Sequence, residues 1–414
     1  MTRKSTPAKG PRLSRRGFTV GATAGTLAAL TPLRFARAAG PLKVGVILPR
    51  SGFQAKFGEA CQRGVEVAVK MLADRGYPAL EIIPGDTESD PKKAAVNAER
   101  LINSGAQLLV GAFDSGATTA IAAVAEQKQI PFVINIAAAP PITEQGYQYI
   151  FRNFPTARTL VGEAFKYQKA LFEATGYTPT KGVMLAVNDT FGKAVSGAVA
   201  KLFPKMGMPY ELTEVIAYDP KARDLSVEIA KAKATGSDIV WPVSRLNDAI
   251  LLTREMIKTR WEPAAIITNG PGYYEDQYLK ALGARGDHVI SIVPWYDPNK
   301  SMTQALLTEF EAMFSGIAVD TNIVYTFEGI LIAADAYQRA GSTEAGALQQ
   351  ALRATNITDN VSVGPGISFD EKGQNNGLGN AVIQNRDGKP LVVMPEQAKV
   401  ADVIMPVPGW GDRG

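Results

Sequence analysis

Asp114, Ser115 and Gly116 are the residues at which the sequence first offers chemistry. They follow the apolar run 108–110, closed by Gly111, and precede 117–127, whose small and apolar residues have the spacing of a packed helix. A hydroxyl and several N–H groups without helical partners would meet there, in the positive field of a helix N-terminus. The chemistry this suits is the holding of an anion, a carboxylate above all. Simple capping of the helix by Ser115 is the competing reading of the same residues. A second apolar strand, 132–136, runs into Ala137, Ala138 and Ala139. In a parallel sheet both turns would lie at the carboxyl ends of their strands, where open α/β sheets take ligands.

Bond-making chemistry has little to work with. The chain has one histidine, His288, and one cysteine, Cys61, so no Cys/His zinc site and no internal disulfide can form. A catalytic triad would have to recruit His288 from the start of an apolar strand. There is no G-x-S-x-G, no phosphate-binding loop and no G-x-G-x-x-G between a strand and a helix. We therefore expect no enzyme, no metal and no cofactor, and read Cys61 as a packing residue.

The elements that must position these residues alternate along the chain. At 414 residues, 46% hydrophobic and 20% charged, it has the length of two domains and the composition of a globular protein. Strand 42–48 turns through a stretch carrying Phe53 and Phe57 into a helix at 59–73. Strand 80–84 and a helix ending near Ser104 follow, then the two strands described above, which makes one half of a doubly wound architecture. A second half follows Phe151-Arg152-Asn153-Phe154-Pro155, with strands at 182–187, 211–218, 239–242 and 265–268 between helices at 157–174, 194–203, 225–234 and 247–259. Its turns at 188–192, 241–245 and 269–274 would face one edge. After strand 289–293 come helices at 302–314, 323–339 and 344–354, then Gly366 to Gly373 and the last strands.

Residues 1–38 read as an export signal. Ser14-Arg15-Arg16-Gly17-Phe18 is similar to the twin-arginine motif, 19–33 is uncharged, and Ala36-Arg37-Ala38 has the form of a cleavage site. Eight basic and no acidic residues lie there, leaving 36 basic against 40 acidic groups in the remainder, so the formal charge falls from +4 to −4. That balance gives no reason to expect nucleic acid as a partner. The apolar run is too short for a membrane span and no cysteine stands at the cleavage site, so no membrane anchor is expected.

The succession KVGVILPRSG, DTESDP, LLVGAFDSGATTA, IPFVINIAAAPPIT, GYQYIFRN and ISFDEKG resembles the Leu/Ile/Val-binding protein family of periplasmic receptors, across nearly the whole chain after the export signal. That resemblance implies the periplasmic-binding protein type 1 fold, an α/β architecture of two doubly wound parallel-sheet lobes joined by a three-crossing hinge. Lobe one would be 39–156 plus 295–372 and lobe two 157–294 plus 373–414, with crossings near Pro155, near Pro294 and just after Gly373. It implies a small-molecule ligand in the interlobe cleft, delivery to ABC permease subunits with a separate ATPase, a periplasmic location and a monomer. Alternatives within the family are an amide or urea ligand, or presentation of the ligand to a separate sensor.

By the same resemblance Ser115 falls on the family's carboxylate-binding serine, and Ala138 on a threonine of its second anion contact, so a hydroxyl is missing there. The family's acid for an α-ammonium falls at 270–271, where no carboxylate stands. Glu275 and Asp276 are expected one helical turn away. Either Asp114, Asp189 or Glu328 replaces that acid, or the ligand has no amino group. The expected anion contacts are Ser115 and the N–H groups of Gly116, Ala138 and Ala139, with Phe53, Phe57, Phe113 and Phe191 around the ligand body. Asp114, Trp241, Tyr273 and Tyr325 complete the expected site, and Tyr274 is a further aromatic at the predicted edge. Arg245 is read either as a carboxylate partner or as a solvated arginine at a helix start.

Overall fold

The computed structural model describes residues 40–413 together with Thr2. The export signal read at 1–38 otherwise lies outside the described residues. The chain opens with β1 (Leu42–Leu48), α1 (Ala55–Asp74), β2 (Leu80–Asp86), α2 (Pro91–Asn103), β3 (Leu108–Gly111), α3 (Ser115–Lys128), β4 (Phe132–Ile134) and β5 (Ile150–Arg152). These strands form a sheet in the order β2-β1-β3-β4-β5, every pair parallel. Helices on both faces bury β1, β3 and β4 almost completely, which is why those strands read as continuous apolar runs rather than alternating ones.

The chain then crosses into α4 (Ala157–Thr175), β6 (Lys181–Val187), α5 (Thr190–Met206), β7 (Glu211–Tyr218), α6 (Ser226–Ala234), β8 (Ile239–Val243), α7 (Leu246–Lys258), β9 (Ala265–Thr268), α8 (Asp276–Leu282) and β10 (Ile290–Pro294). It returns to the first lobe with α9 (Ser301–Met313), α10 (Thr321–Ala340), α11 (Ala345–Arg353) and the small antiparallel pair β11 (Asn356–Ile357) and β12 (Ile367–Ser368). A third crossing leads to β13 (Asn380–Arg386) and β14 (Lys389–Met394). The second sheet has the order β14-β13-β10-β9-β8-β6-β7. Its first five strands by sequence are parallel, whereas β13 and β14 add an antiparallel edge.

Two boundaries differ from expectation in ways that matter for the site. Helix α1 begins at Ala55 rather than 59, so the first turn is shorter and Phe57 is carried on the helix. The short helix α8, not expected from the sequence, is entered at Glu275. Helix α1 lies close against α10, because Gly64 has no side chain to hold them apart: a Cβ there would stand 2.5 Å from the Ile323 carbonyl oxygen.

Candidate functional site

The carboxyl ends of β3, β4, β8, β9 and β10 converge on one cavity. It is lined by apolar groups of both lobes, with Phe113, Phe154, Phe191 and Tyr274 among its aromatic walls, and by Ser115, Ala138, Arg245, Asn269, Thr321 and Asn322. Its empty space is about 510 Å³ with the mouth included, which suits one compact molecule.

Ser115 does not cap α3. Asp114 does, its Oδ1 accepting the Ala117 N–H at 2.9 Å from an extended backbone, while Ser115 is the first helical residue. Its Oγ is buried, faces the cavity lining and has no partner. An aspartate at the cap thus frees the serine hydroxyl for something else.

The loop after β4 is held so that its N–H groups are available. Buried Arg152 donates Nη1 to the carbonyls of Ala137 and Ala139 at 3.2 and 2.7 Å, Nη2 to Thr143 Oγ1 at 2.8 Å and Nε to Gln374 Oε1 at 2.6 Å. The Ala138 carbonyl accepts from Ala157 N–H at 2.7 Å. The Ala138 N–H has no partner among the described residues. Burial pushes the Arg152 guanidinium down to about 10, and among the described residues it forms no ion pair. Sequence reasoning missed Arg152, although it stood in the GYQYIFRN segment.

Arg245 is not solvated. It is buried at the N-terminus of α7, its backbone N–H held by Asp248 Oδ1 at 2.9 Å, and its guanidinium reaches both lobes. Nη2 lies 3.3 Å from Asp114 Oδ2 of the first lobe, and Nη1 forms a short ion pair with Asp189 Oδ2 of the second. The flat cation lies 5.9 Å from the Phe113 ring centre and 5.6 Å from that of Phe191. Burial works against its charge, but Asp189, Asp114 and Asp248 outweigh it and hold the guanidinium above its ordinary value. Asp114 and Asp189 each cap a helix, α3 and α5, so three helix N-termini meet around this cluster and offset part of its negative charge. The Arg245 Nε is buried without a partner, in a residue that lines the cavity.

The remaining expected residues are placed as follows. Phe57 lies behind the wall, stacked on Phe113 with ring centres 4.4 Å apart, because α1 carries it there; Phe53 is 42% exposed and lines a separate pocket with Lys56 and Pro220. Trp241 points under the sheet toward Phe165 and donates Nε1 to Asn269 Oδ1 at 2.7 Å. Tyr273 packs on Tyr278, and Tyr325 sits edge-on to Phe154 one helical turn beyond Asn322, so neither reaches the lining. Gly116 and Ala139 also stand off the lining, Gly116 facing Thr190 and Ala139 tied through its carbonyl to Arg152.

None of the three acids considered as ammonium partners is free. Asp114 and Asp189 hold Arg245, and Glu328 is consumed by Asn153, Asn360, Ser362 and the Val361 N–H near the hinge. Glu275, expected one helical turn away from 270–271, enters α8 as a buried acid beside the cavity. Asn322 Nδ2 bridges it to Asp320 at 2.9 and 3.0 Å, joining the second lobe to the first. Burial, then the charge of Asp320, push the Glu275 carboxyl well above its usual range. Its signal in the sequence was only proximity to 270–271.

A model of the periplasmic binding protein family matches residues 41–388. The Leu/Ile/Val-binding protein homolog 7 of Brucella abortus (strain 2308) is 26% identical over 385 residues, covering 90% of this chain and 96% of that protein. Among solved structures, the branched-chain amino acid transporter substrate binding protein LivJ of Streptococcus pneumoniae, in complex with isoleucine, superposes with a TM-score of 0.73 at 19% identity, over 88% of this chain and 99% of that one. An ABC transporter solute binding protein of R. palustris, in complex with benzoate, gives 0.72 at 22%, over 88% and 98%.

Proposed function

The chain belongs to the periplasmic binding protein family, and from that premise we propose that it captures a small hydrophobic compound bearing a carboxylate, for delivery to an ABC permease and its separate ATPase. One observation carries this reading. A mainly apolar cavity presents unpartnered donors, among them Ser115 Oγ and the Ala138 N–H, at the N-terminus of α3 and the end of β4. Buried donors without partners are costly, and a carboxylate supplies the acceptors they lack.

Phe113, Phe154, Phe191 and Tyr274 enclose the body of the ligand, and the two lobes close on it because the first supplies Ser115 and the second Phe191 and Tyr274. Lobe one comprises 39–156 plus 295–372 and lobe two the rest of the exported chain. Among the described residues no helix is long and apolar enough to cross a membrane. Export through the 1–38 segment, with cleavage after Ala38, delivers the protein to the periplasm. Neighbours of the same fold are described as bound to isoleucine and to benzoate, and both ligands carry a carboxylate.

A thermal-shift screen of the purified protein against amino acids, aromatic and aliphatic acids, amides and sugars tests this. A ligand at a thousand times its dissociation constant adds about 4 kcal/mol to stability, read as a raised midpoint. A midpoint raised only by amides or sugars would overturn the carboxylate reading.

A further inference from the structure

Resting on that reading, we propose that the cavity selects hydrophobic monocarboxylates lacking an α-ammonium group, and that Arg245 sets this preference by donating its free Nε–H to the bound carboxylate. Among the side chains of the lining, the buried polar atoms left without a partner are Ser115 Oγ and Arg245 Nε, and both can donate. Other donors of the lining are engaged, Asn322 Nδ2 with Glu275 and Asp320 at 2.9 and 3.0 Å. Asn269 donates to the Ile292 carbonyl and accepts from Trp241, both at 2.7 Å, and Thr321 Oγ1 donates to the Pro294 carbonyl at 2.7 Å.

An ammonium brings three donors and needs acceptors, and the lining contains no carboxylate to meet them. Asp114 and Asp189 are turned onto the Arg245 fork, away from its Nε, and Glu275 is tied to Asp320 through Asn322. A zwitterion would therefore bury its positive end without an anionic partner, beside a guanidinium of the same sign.

A second arginine supports the anion independently. Among the described residues the Arg152 guanidinium makes four hydrogen bonds, all to neutral acceptors, two of them carbonyls of the Ala137–Ala139 loop. Glu144 and Asp370 act on it only through space, so Arg152 adds positive field behind the loop whose N–H groups a carboxylate would meet, and an ammonium there would add to the imbalance.

Calorimetry on the ligand-free protein with matched pairs tests the proposal: leucine against 4-methylpentanoate, phenylalanine against 3-phenylpropanoate, with benzoate alongside. The acid lacking the amino group is expected to bind about 100-fold tighter than its amino acid in at least one pair, the scale on which unpaired buried polar groups discriminate. Amino acids binding as tightly as, or tighter than, their partners would overturn the inference and leave the proposed function standing. If neither the acids nor the amino acids bind, the proposed function falls with it.

The role of Arg245 is read from Arg245→Met and Arg245→Lys by the affinity ratio of 3-phenylpropanoate to 3-phenylpropanamide. In Arg245→Met that ratio is expected to fall about 10-fold or more, as a charge-assisted bond is lost. Arg245→Lys, which keeps the charge but loses the planar fork, should fall between. A variant that weakens acid and amide equally would show that Arg245 only holds the lobes, and would overturn its part in selection.

Discussion

Replacing Ser115 with alanine separates a binding hydroxyl from a capping one, because the two roles predict opposite signs for stability. Were Ser115 the cap, its loss would cost about 0.5–2 kcal/mol of folding free energy. Asp114 already performs that task through Ala117 N–H at 2.9 Å, and Ser115 Oγ is buried with no partner. A buried unsatisfied hydroxyl itself costs about 1–3 kcal/mol, and alanine is the better helix former by a few tenths. The ligand-free Ser115→Ala protein should therefore be as stable as the parent or more so, by up to about 1 kcal/mol. Ligand binding should move the other way. A lost charge-assisted hydrogen bond of about 1–3 kcal/mol raises the dissociation constant roughly 5- to 150-fold. Urea denaturation of the ligand-free protein and calorimetry with its best carboxylate ligand give the two numbers. A variant destabilised by about 1 kcal/mol that still binds with unchanged affinity would return Ser115 to the capping role and refute the reasoning.

Other parts of the site make separate predictions. Arg152→Gln removes the guanidinium that holds the Ala137 and Ala139 carbonyls; two orphaned buried acceptors at about 1–3 kcal/mol each should lower the urea midpoint clearly, and a midpoint within error of the parent would contradict the bracing role. Glu275 has its carboxyl raised by burial and then by Asp320, with Asp276 adding a smaller push. Its protonated form favours the fold, so that contribution is complete below the ordinary carboxylate range and is lost as pH rises through the raised value. Stability should thus decline as pH climbs from about 5, and Glu275→Gln, which cannot ionise, should flatten the slope; superimposable pH profiles would count against it. Gly64→Ala places a methyl 2.5 Å from the Ile323 carbonyl oxygen and should cost about 1–3 kcal/mol in thermal unfolding by prising α1 from α10.

The fold was legible in the sequence for the reason that makes it stable. Strands buried on both faces must be continuous apolar runs, and β9 (Ala265–Thr268), buried throughout, falls on the expected boundaries. The strand ends, and with them Ser115, Ala138, Phe113 and Phe191, could be placed on one edge from topology alone. What topology cannot give is the direction of a side chain once a helix starts a turn earlier or a charge finds a partner across the cleft. Phe57 moved behind the wall because α1 begins at Ala55.

Arg245 illustrates the same limit from the electrostatic side. Its partners Asp114 and Asp189 lie 131 and 56 residues away, and nothing local distinguishes an arginine that will bridge two lobes from one that will be solvated. A partial signal was present, since two of the three acids considered for an ammonium sit at helix starts on facing lobes, where a shared cation between them is as natural a guest as a ligand. Once Arg245 occupies that place, the acids are no longer available to a zwitterion. The feature first read as a substitute for a missing acid then becomes the reason for expecting a ligand without an amino group.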